Sequence, residues 1–171
     1  MIHEVKRPSS SPHCSLSIDA PGRRRLPPLL RRAWYSLNQA FRRRIAHLGI
    51  TPDQFTVMRT LLENDPQGMS QRELTTSMSS DPNTVASLLR RMEEAGLLIR
   101  APHEQDRRAH RIQLRRTGQA KYEAARAIAI ALQTEVLSDL PARQRETFLR
   151  NLTAVAAACR AAAGQSPRAG A

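Results

Sequence analysis

Two helix-start signals lie close together near the middle of the chain and constrain its fold more than any other feature. The run Ser70–Glu73 has the capping-box pattern, in which a Ser hydroxyl and a Glu carboxylate three residues later each accept a backbone N–H. Asp81 and Pro82 place a carboxylate at an N-cap and a proline at the first helical position. These signals predict two short helices joined by a tight polar turn, which is the helix-turn-helix arrangement.

A predicted β-hairpin follows the second of these helices. Gly96 is typical of a helix end, and after it come two runs with strand character, residues 97–100 and 111–114. The polar, charged segment 101–110 separates them. A hairpin directly behind a helix-turn-helix is a wing, so the sequence predicts a winged helix.

Apolar residues at helical spacing flank this core on both sides. One stripe precedes Gly49, a second begins after Thr117, and a third lies near the C-terminus. The first stripe consists of Leu30, Trp34, Leu37, Phe41, Ile45 and Leu48, and the third of Phe148, Leu152, Val155 and Cys159. Between Gly49 and the capping box, Thr51 and Gln54 predict another capped helix. We therefore predict an all-α fold with a small β-hairpin wing.

The charge of the chain favours a polyanionic partner. Its 171 residues include 27 Lys and Arg against 15 Asp and Glu, a net charge of +12. No stretch approaches the ~20 apolar residues of a membrane span, and the N-terminus lacks the apolar core of a secretory signal. We expect a cytoplasmic protein that does not span a membrane, and the charge alone leaves nucleic acid, an anionic membrane surface and an acidic partner open.

The helix after Asp81 is predicted to have one apolar and one polar face, and the polar face has side chains of the types that bind base edges and phosphates. Val85, Leu88, Leu89 and Met92 fall on the apolar face. On the polar face we assign base contacts to Asn83, Thr84 and Ser87 and mainly phosphate contacts to Arg90 and Arg91. Ser70 and Gln71, at the start of the preceding helix, complete the predicted DNA-binding set on the two helices. Glu93 and Glu94 are expected to lie clear of the DNA.

The middle of the chain resembles the MarR family of multiple-antibiotic-resistance regulators. The resemblance rests on the runs Gly49–Phe55, Ser70–Leu74 and Glu94–Arg100, on Asp106–Arg108 and on Leu114. Its most specific element is the Asp-x-Arg wing motif at residues 106–108. A departure follows the wing: where the family has Leu-Thr-x-x-Gly, this chain has Leu-Arg-Arg-Thr-Gly, residues 114–118. The missing Thr puts the cap of the next helix in doubt.

The resemblance implies roles and partners. It implies that Arg108 enters a minor groove, that Asp106 orients it and that Arg107 lies close by. It also implies a homodimer built from the terminal helices, with a small-molecule pocket between that region and the winged helix. For a phenolic or carboxylate effector, the candidate pocket residues are Trp34, His47, Phe55 and Arg59. The alternative for these four is that they pack in the core or lie on the surface.

The predicted organisation has five parts. Residues 1–25 form a disordered basic arm, residues 26–50 and 117–163 form the helical dimerisation region, and residues 51–116 form the DNA-binding domain. Residues 164–171 form a disordered tail. The predicted function is a repressor that binds a pseudo-palindromic duplex as a homodimer and responds to a small effector. The alternatives are an architectural DNA-binding protein without strong sequence preference and an interaction dimer that does not bind DNA.

Other function classes have little support. The chain has no nucleophile–base pair, no carboxylate pair in a plausible cleft and no Gly-rich phosphate loop, so we do not expect an enzyme. The two cysteines, Cys14 and Cys159, are far apart in sequence, and the five histidines lack metal-ligand spacing. We therefore expect no cofactor, no metal site and no redox switch.

Overall fold

The computed structural model describes residues 24–64, 68–102 and 110–164. The predicted wing residues Asp106, Arg107 and Arg108 lie outside these ranges, as do nearly all of the predicted arm and tail. Six α-helices and three strands occur in the described part of the chain. The helices are α1 (Leu26–Ile45), α2 (Pro52–Asn64), α3 (Gln71–Met78), α4 (Pro82–Glu94), α5 (Arg116–Leu137) and α6 (Ala142–Gly164). The strands are β1 (Met69–Ser70), β2 (Leu98–Pro102) and β3 (His110–Leu114).

The fold is mainly helical with a small antiparallel sheet, which confirms the predicted fold class. The predicted hairpin is present as β2 and β3. The sequence did not predict a third strand, β1, which pairs with β3 and gives the sheet the order β1-β3-β2. Met69 pairs with Ile112 and Ser70 with Arg111. A two-residue strand is too short to show the period-two alternation by which strands are predicted. The buried Met69 side chain anchors it in the core.

The predicted helix starts are present. In α2, Thr51 Oγ1 accepts the Gln54 N–H at 3.2 Å, and Gln54 Oε1 accepts the Thr51 N–H at 2.9 Å. Ser70 and Glu73 form the same reciprocal box at the start of α3. Helix α1 ends in a 3₁₀ turn, Ala46–Leu48, followed by Gly49 with φ of +64°, where a glycine avoids the strain of the left-handed region.

The core of the winged helix lies between α2, α3, α4 and the sheet. All four residues predicted for the apolar face of α4 are buried, which confirms that face. The largest fully buried side chains are Ile45, Met58, Leu74, Leu89, Met92, Leu98, Ile112, Val57 and Val85. This packing holds α4 with its polar face in solvent.

The chain divides into two compact units, residues 1–40 and 41–171. In the described part of the first unit, Leu26, Leu29, Trp34, Tyr35 and Leu37 are exposed. The second unit contains the winged helix together with α5 and α6. None of the residues of α6, all of which are described, is buried. The predicted division into a dimerisation region and a DNA-binding domain stays a prediction.

Among the described residues, no helix has both the length and the apolar character to cross a membrane.

Candidate nucleic-acid interface

Helix α4 presents a row of hydrogen-bonding and cationic side chains to solvent. The buried apolar face fixes the rotation of the helix about its axis, so the opposite face is set by the same packing. The five residues of α4 predicted to contact DNA are all exposed: Asn83, Thr84, Ser87, Arg90 and Arg91.

The N-terminus of α4 is held by its cap. Asp81 Oδ1 accepts the Asn83 N–H at 2.9 Å and the Thr84 N–H at 3.0 Å. Two of the N–H groups that a helix start leaves without intrahelical partners are thereby satisfied. The Asn83 and Thr84 side chains thus start from a fixed backbone, which is what a group that reads base edges requires.

An open groove separates α4 from β2. Ala86, Ser87, Arg90 and Glu93 line it from the helix, and Arg100 lines it from the strand. Arg100 Nε lies 3.1 Å from Glu93 Oε2, so a salt bridge joins the two elements across the groove. Sequence reasoning named Arg100 only as the end of a run that carries the family resemblance, and it expected Glu93 to lie clear of the DNA. The salt bridge joins residues of two different elements, so only the tertiary structure reveals it.

The two predicted DNA contacts at the start of α3 differ in their surroundings. The Ser70 hydroxyl donates to Glu73 Oε2 at 2.9 Å and accepts the Glu73 N–H at 3.2 Å, so the capping box engages it on both sides. Gln71 is half-buried at the first position of α3. DNA contacts by these two residues stay predictions.

The departure from the family pattern after the wing has a structural answer. Arg115 is the N-cap of α5 and makes no side-chain capping hydrogen bond. Thr117 Oγ1 instead donates to the Gly96 carbonyl at 2.6 Å, and the Arg115 N–H donates to the Leu97 carbonyl at 3.0 Å. These bonds fix the start of α5 to the turn that follows α4, so the missing Thr does not leave the helix start unattached.

The four candidate effector residues have different environments. Phe55 is 6% exposed and is packed between two rings, with Phe41 edge-on at a centroid distance of 5.0 Å and Tyr122 stacked at 5.4 Å. Arg59 is exposed, with Nε 4.0 Å from Glu63 Oε2. His47 is exposed on the 3₁₀ turn, and Trp34 on α1 is 65% exposed. The surroundings of Phe55 favour a packing role, and the effector pocket stays a prediction.

Tyr122 is a buried aromatic residue that sequence reasoning missed. It lies on α5, against Phe55 of α2. Burial raises the pKa of the Tyr122 phenol above 10.0, and the charge of Glu63 raises it further.

Two polar contacts attach α5 to the end of α1 and the 3₁₀ turn that follows it. Lys121 Nζ donates to the Leu48 carbonyl at 2.8 Å, and Arg44 pairs with Glu135 at 2.8 Å.

Comparison with known proteins decides the family. A model of the MarR family matches residues 50–110. The HTH-type transcriptional repressor Rv2887 of Mycobacterium tuberculosis is 31% identical over 137 residues, which cover 80% of this chain and 94% of the relative. This chain belongs to the MarR family. The predicted family membership is confirmed.

Solved structures share the MarR fold of the chain. The DNA complex of MepR from Staphylococcus aureus matches with a TM-score of 0.71 at 24% identity, covering 77% of this chain and 96% of that one. CouR, bound to a 23-mer DNA duplex, matches with a TM-score of 0.68 at 27% identity, covering 75% and 89%. CouR from Rhodococcus jostii RHA1 has also been solved with p-coumaroyl-CoA.

Family membership settles the general class. MarR-family proteins are transcriptional regulators, so this chain is a regulator and not an enzyme, as predicted. In residues 24–64, 68–102 and 110–164, no three His, Cys, Asp or Glu side chains are grouped to hold a metal ion.

Proposed function

We propose that this MarR-family chain represses transcription by binding a pseudo-palindromic DNA duplex as a homodimer, and that a small effector releases it. The observation that carries the proposal is the exposed face of α4, which combines amide, hydroxyl and guanidinium groups on a helix fixed by its cap and its core packing. A major groove admits a helix of this kind, and these groups are the ones that bind base edges and phosphates.

The roles divide along α4. Asn83, Thr84 and Ser87 lie in its first half and contact bases, because the N-terminal residues of a recognition helix reach base edges. Arg90 and Arg91 lie in the second half and bind phosphates. The DNA-bound forms of MepR and CouR support this use of the fold, and the repressor name of the mycobacterial relative supports the direction of regulation.

The homodimer is supported by apolar surface on α6. Phe148 is 44% exposed and Leu152 is 37% exposed, and they lie on one side of the helix with Val155 and Cys159. Large apolar side chains that share a face are costly to leave in water. Burial against the same helix of a second copy forms a two-fold interface, and a two-fold protein matches a two-fold DNA site.

Effector release requires that the ligand bind two conformers of the dimer with different affinities. The p-coumaroyl-CoA complex of CouR supports a phenolic effector in this fold, and the carboxylate alternative rests on Arg59 as a candidate cation. Trp34, His47, Phe55 and Arg59 remain the proposed contacts. Because Phe55 is buried, its ring becomes available to a ligand only after a rearrangement of the aromatic cluster.

Fluorescence anisotropy across a salt series tests the proposal. The purified protein is titrated with the duplex that flanks its own gene and with a scrambled duplex of the same composition. A specific regulator binds the first ~10³-fold more tightly or better at physiological salt. Equal, steeply salt-dependent binding to both favours an architectural protein, and no binding to either contradicts the DNA-binding proposal.

A further inference from the structure

The groove between α4 and β2 contains two arginines and one carboxylate, and a salt bridge joins the carboxylate to one of the arginines. Arg90 lies on the helix wall, Arg100 on the strand wall, and Glu93 lies between them in sequence. The Arg100 side chain is 33% exposed and the Glu93 side chain is 41% exposed, so both are accessible from the groove. Ser87 adds a hydroxyl donor on the same surface.

The position of the groove decides what occupies it, given the proposed function. With α4 in a major groove, one of the two sugar-phosphate strands that border this groove runs along the side of α4 against which β2 packs. That strand separates the two grooves of a duplex. The protein groove lies between α4 and β2, so a phosphate of that strand comes to lie against it.

We propose that this groove is a phosphate-binding site in which Arg90 and Arg100 bind one backbone phosphate from opposite sides, with Glu93 as a positioning residue for Arg100. This inference rests on the proposed function and deepens that function by adding Arg100 and Glu93 to the DNA-binding surface. The occupant is a phosphodiester of the bound duplex, and the contact is independent of base sequence.

The salt bridge explains how a carboxylate belongs in an anion-binding groove. A guanidinium has five N–H donors in a planar fork, and Glu93 engages Arg100 at Nε. The terminal nitrogens remain suited to a second anion, since Arg binds phosphates through its planar fork. The ordering of Arg100 by Glu93 reduces the side-chain entropy that phosphate binding would otherwise cost.

The first test removes the Arg100 charge. The probe is the duplex that wild-type protein enriches most strongly from a library with a randomised centre. Loss of one phosphate contact lowers the slope of log affinity against log salt by about 0.9, which weakens binding about fivefold at ~0.15 M salt. The matched control is Arg143→Ala, which removes an exposed arginine on α6 with the same change of net charge. We expect Arg100→Ala to show both effects and Arg143→Ala to show neither.

A second measurement identifies the phosphate itself. Backbone phosphates of the enriched duplex are replaced one at a time by neutral methylphosphonates. At one phosphate per half-site, neutralisation should weaken wild-type binding but change Arg100→Ala binding by less than about twofold, because contacts between the same two groups are not additive. The same phosphate should lose its effect in Arg90→Ala. Separate phosphates for Arg90 and Arg100, or none for Arg100, would overturn the shared site.

The role of Glu93 is tested by the coupling between Arg100 and that phosphate. The coupling is the difference between the effect of neutralising that phosphate in a protein with Arg100 and its effect in the same protein with Arg100→Ala. Glu93→Ala should reduce this difference. Glu93→Gln should keep it, because the amide oxygen still accepts from Nε. Full coupling in Glu93→Ala would contradict the positioning role. A carboxylate that merely repels DNA predicts tighter binding by both variants and unchanged coupling.

The outcomes separate this inference from the proposed function. If wild-type protein enriches no duplex, the proposed function fails, and this inference fails with it. If a duplex is enriched and Arg100→Ala binds it as Arg143→Ala does, the inference fails and the proposed function stands. Thermal unfolding verifies that each variant is folded, and Arg100→Gln, which keeps hydrogen-bonding capacity without charge, replaces Arg100→Ala if that variant unfolds.

Discussion

At the scale of single residues, a few polar groups and one glycine fix the geometry of the candidate interface. Asp81 satisfies two N–H groups at the start of α4, and Thr117 binds the turn after its end. Gly118 lies where α5 approaches the Leu97 carbonyl, and a Cβ at this position would clash with that oxygen. None of these groups is expected to touch DNA, yet each positions α4 or the wing base.

Removal of the Asp81 cap should destabilise the fold. Asp81→Ala leaves the Asn83 and Thr84 N–H groups without their acceptor, and loss of such a cap lowers the free energy of unfolding by about 1 kcal/mol. Asp81→Asn is the control, because its amide oxygen caps nearly as well. Urea denaturation measures both variants. An Asp81→Ala variant as stable as wild type would contradict the capping role.

Addition of one methyl group at Gly118 should be costly. Gly118→Ala forces α5 away from Leu97, and overpacking of this kind lowers the free energy of unfolding by about 1–3 kcal/mol. Gly164→Ala is the matched control, since a Cβ there meets no atom within 4 Å. Thermal unfolding of the two variants should separate them clearly, and equal melting temperatures would rule out the close approach.

At the scale of elements, α5 and α2 are joined by the stack of Tyr122 on Phe55, and Phe41 completes the cluster edge-on. The stack places a phenol in the core of the second unit. Because burial favours the neutral phenol, the fold resists its ionisation. Ionisation of Tyr122 at alkaline pH should therefore weaken the packing of α5 on α2.

The stability of the protein should fall at alkaline pH through Tyr122. Its pKa is raised in the folded state above the 10.0 of an unburied phenol, so this contribution to stability is fully present below about pH 10 and is lost as the pH rises through the folded pKa. The free energy of unfolding should drop less between about pH 9 and pH 11 in Tyr122→Phe than in wild type. An equal drop in both proteins would show that another group is responsible.

The sequence predicts these elements unevenly, for physical reasons. Caps are local, so the helix starts at Thr51, Ser70 and Asp81 could be predicted from spacing alone. The buried face of α4 followed from helical periodicity. Strand β1 could not be predicted in this way, because its two residues are stabilised by pairing with a distant strand.

The candidate site shows the same limit. The exposed residues of α4 could be predicted from helical periodicity, since the buried face of a helix determines the opposite face. The Arg100–Glu93 pair and the Tyr122 stack did not follow, because each joins two elements whose relative placement only the tertiary structure gives.

At the scale of the whole molecule, the proposed function requires two copies of the chain. Within α6, Phe148 and Leu152 are exposed on one side. A second copy that covers this apolar face would stabilise the helix, so the proposed function joins dimerisation to DNA binding.

A charge on that face should separate the dimer. Leu152→Arg introduces a cation into the proposed interface, and sedimentation equilibrium should then detect monomer at concentrations where wild type is dimeric. Thr153→Arg adds the same charge on the other side of α6 and should leave the dimer intact. Dimerisation of Leu152→Arg as tight as that of wild type would place the interface elsewhere.

The proposal that the exposed face of α4 reads an operator is tested most directly by a comparison of base preference between wild type and Asn83→Ala. Both proteins, and Arg91→Ala as a phosphate-contact control, select duplexes from the same randomised library at fixed salt. We expect Asn83→Ala to relax the preference at one base pair of each half-site by ~1–3 kcal/mol, and Arg91→Ala to weaken binding evenly across sequences. If Asn83→Ala ranks every sequence as wild type does, the exposed face of α4 does not read the operator through Asn83.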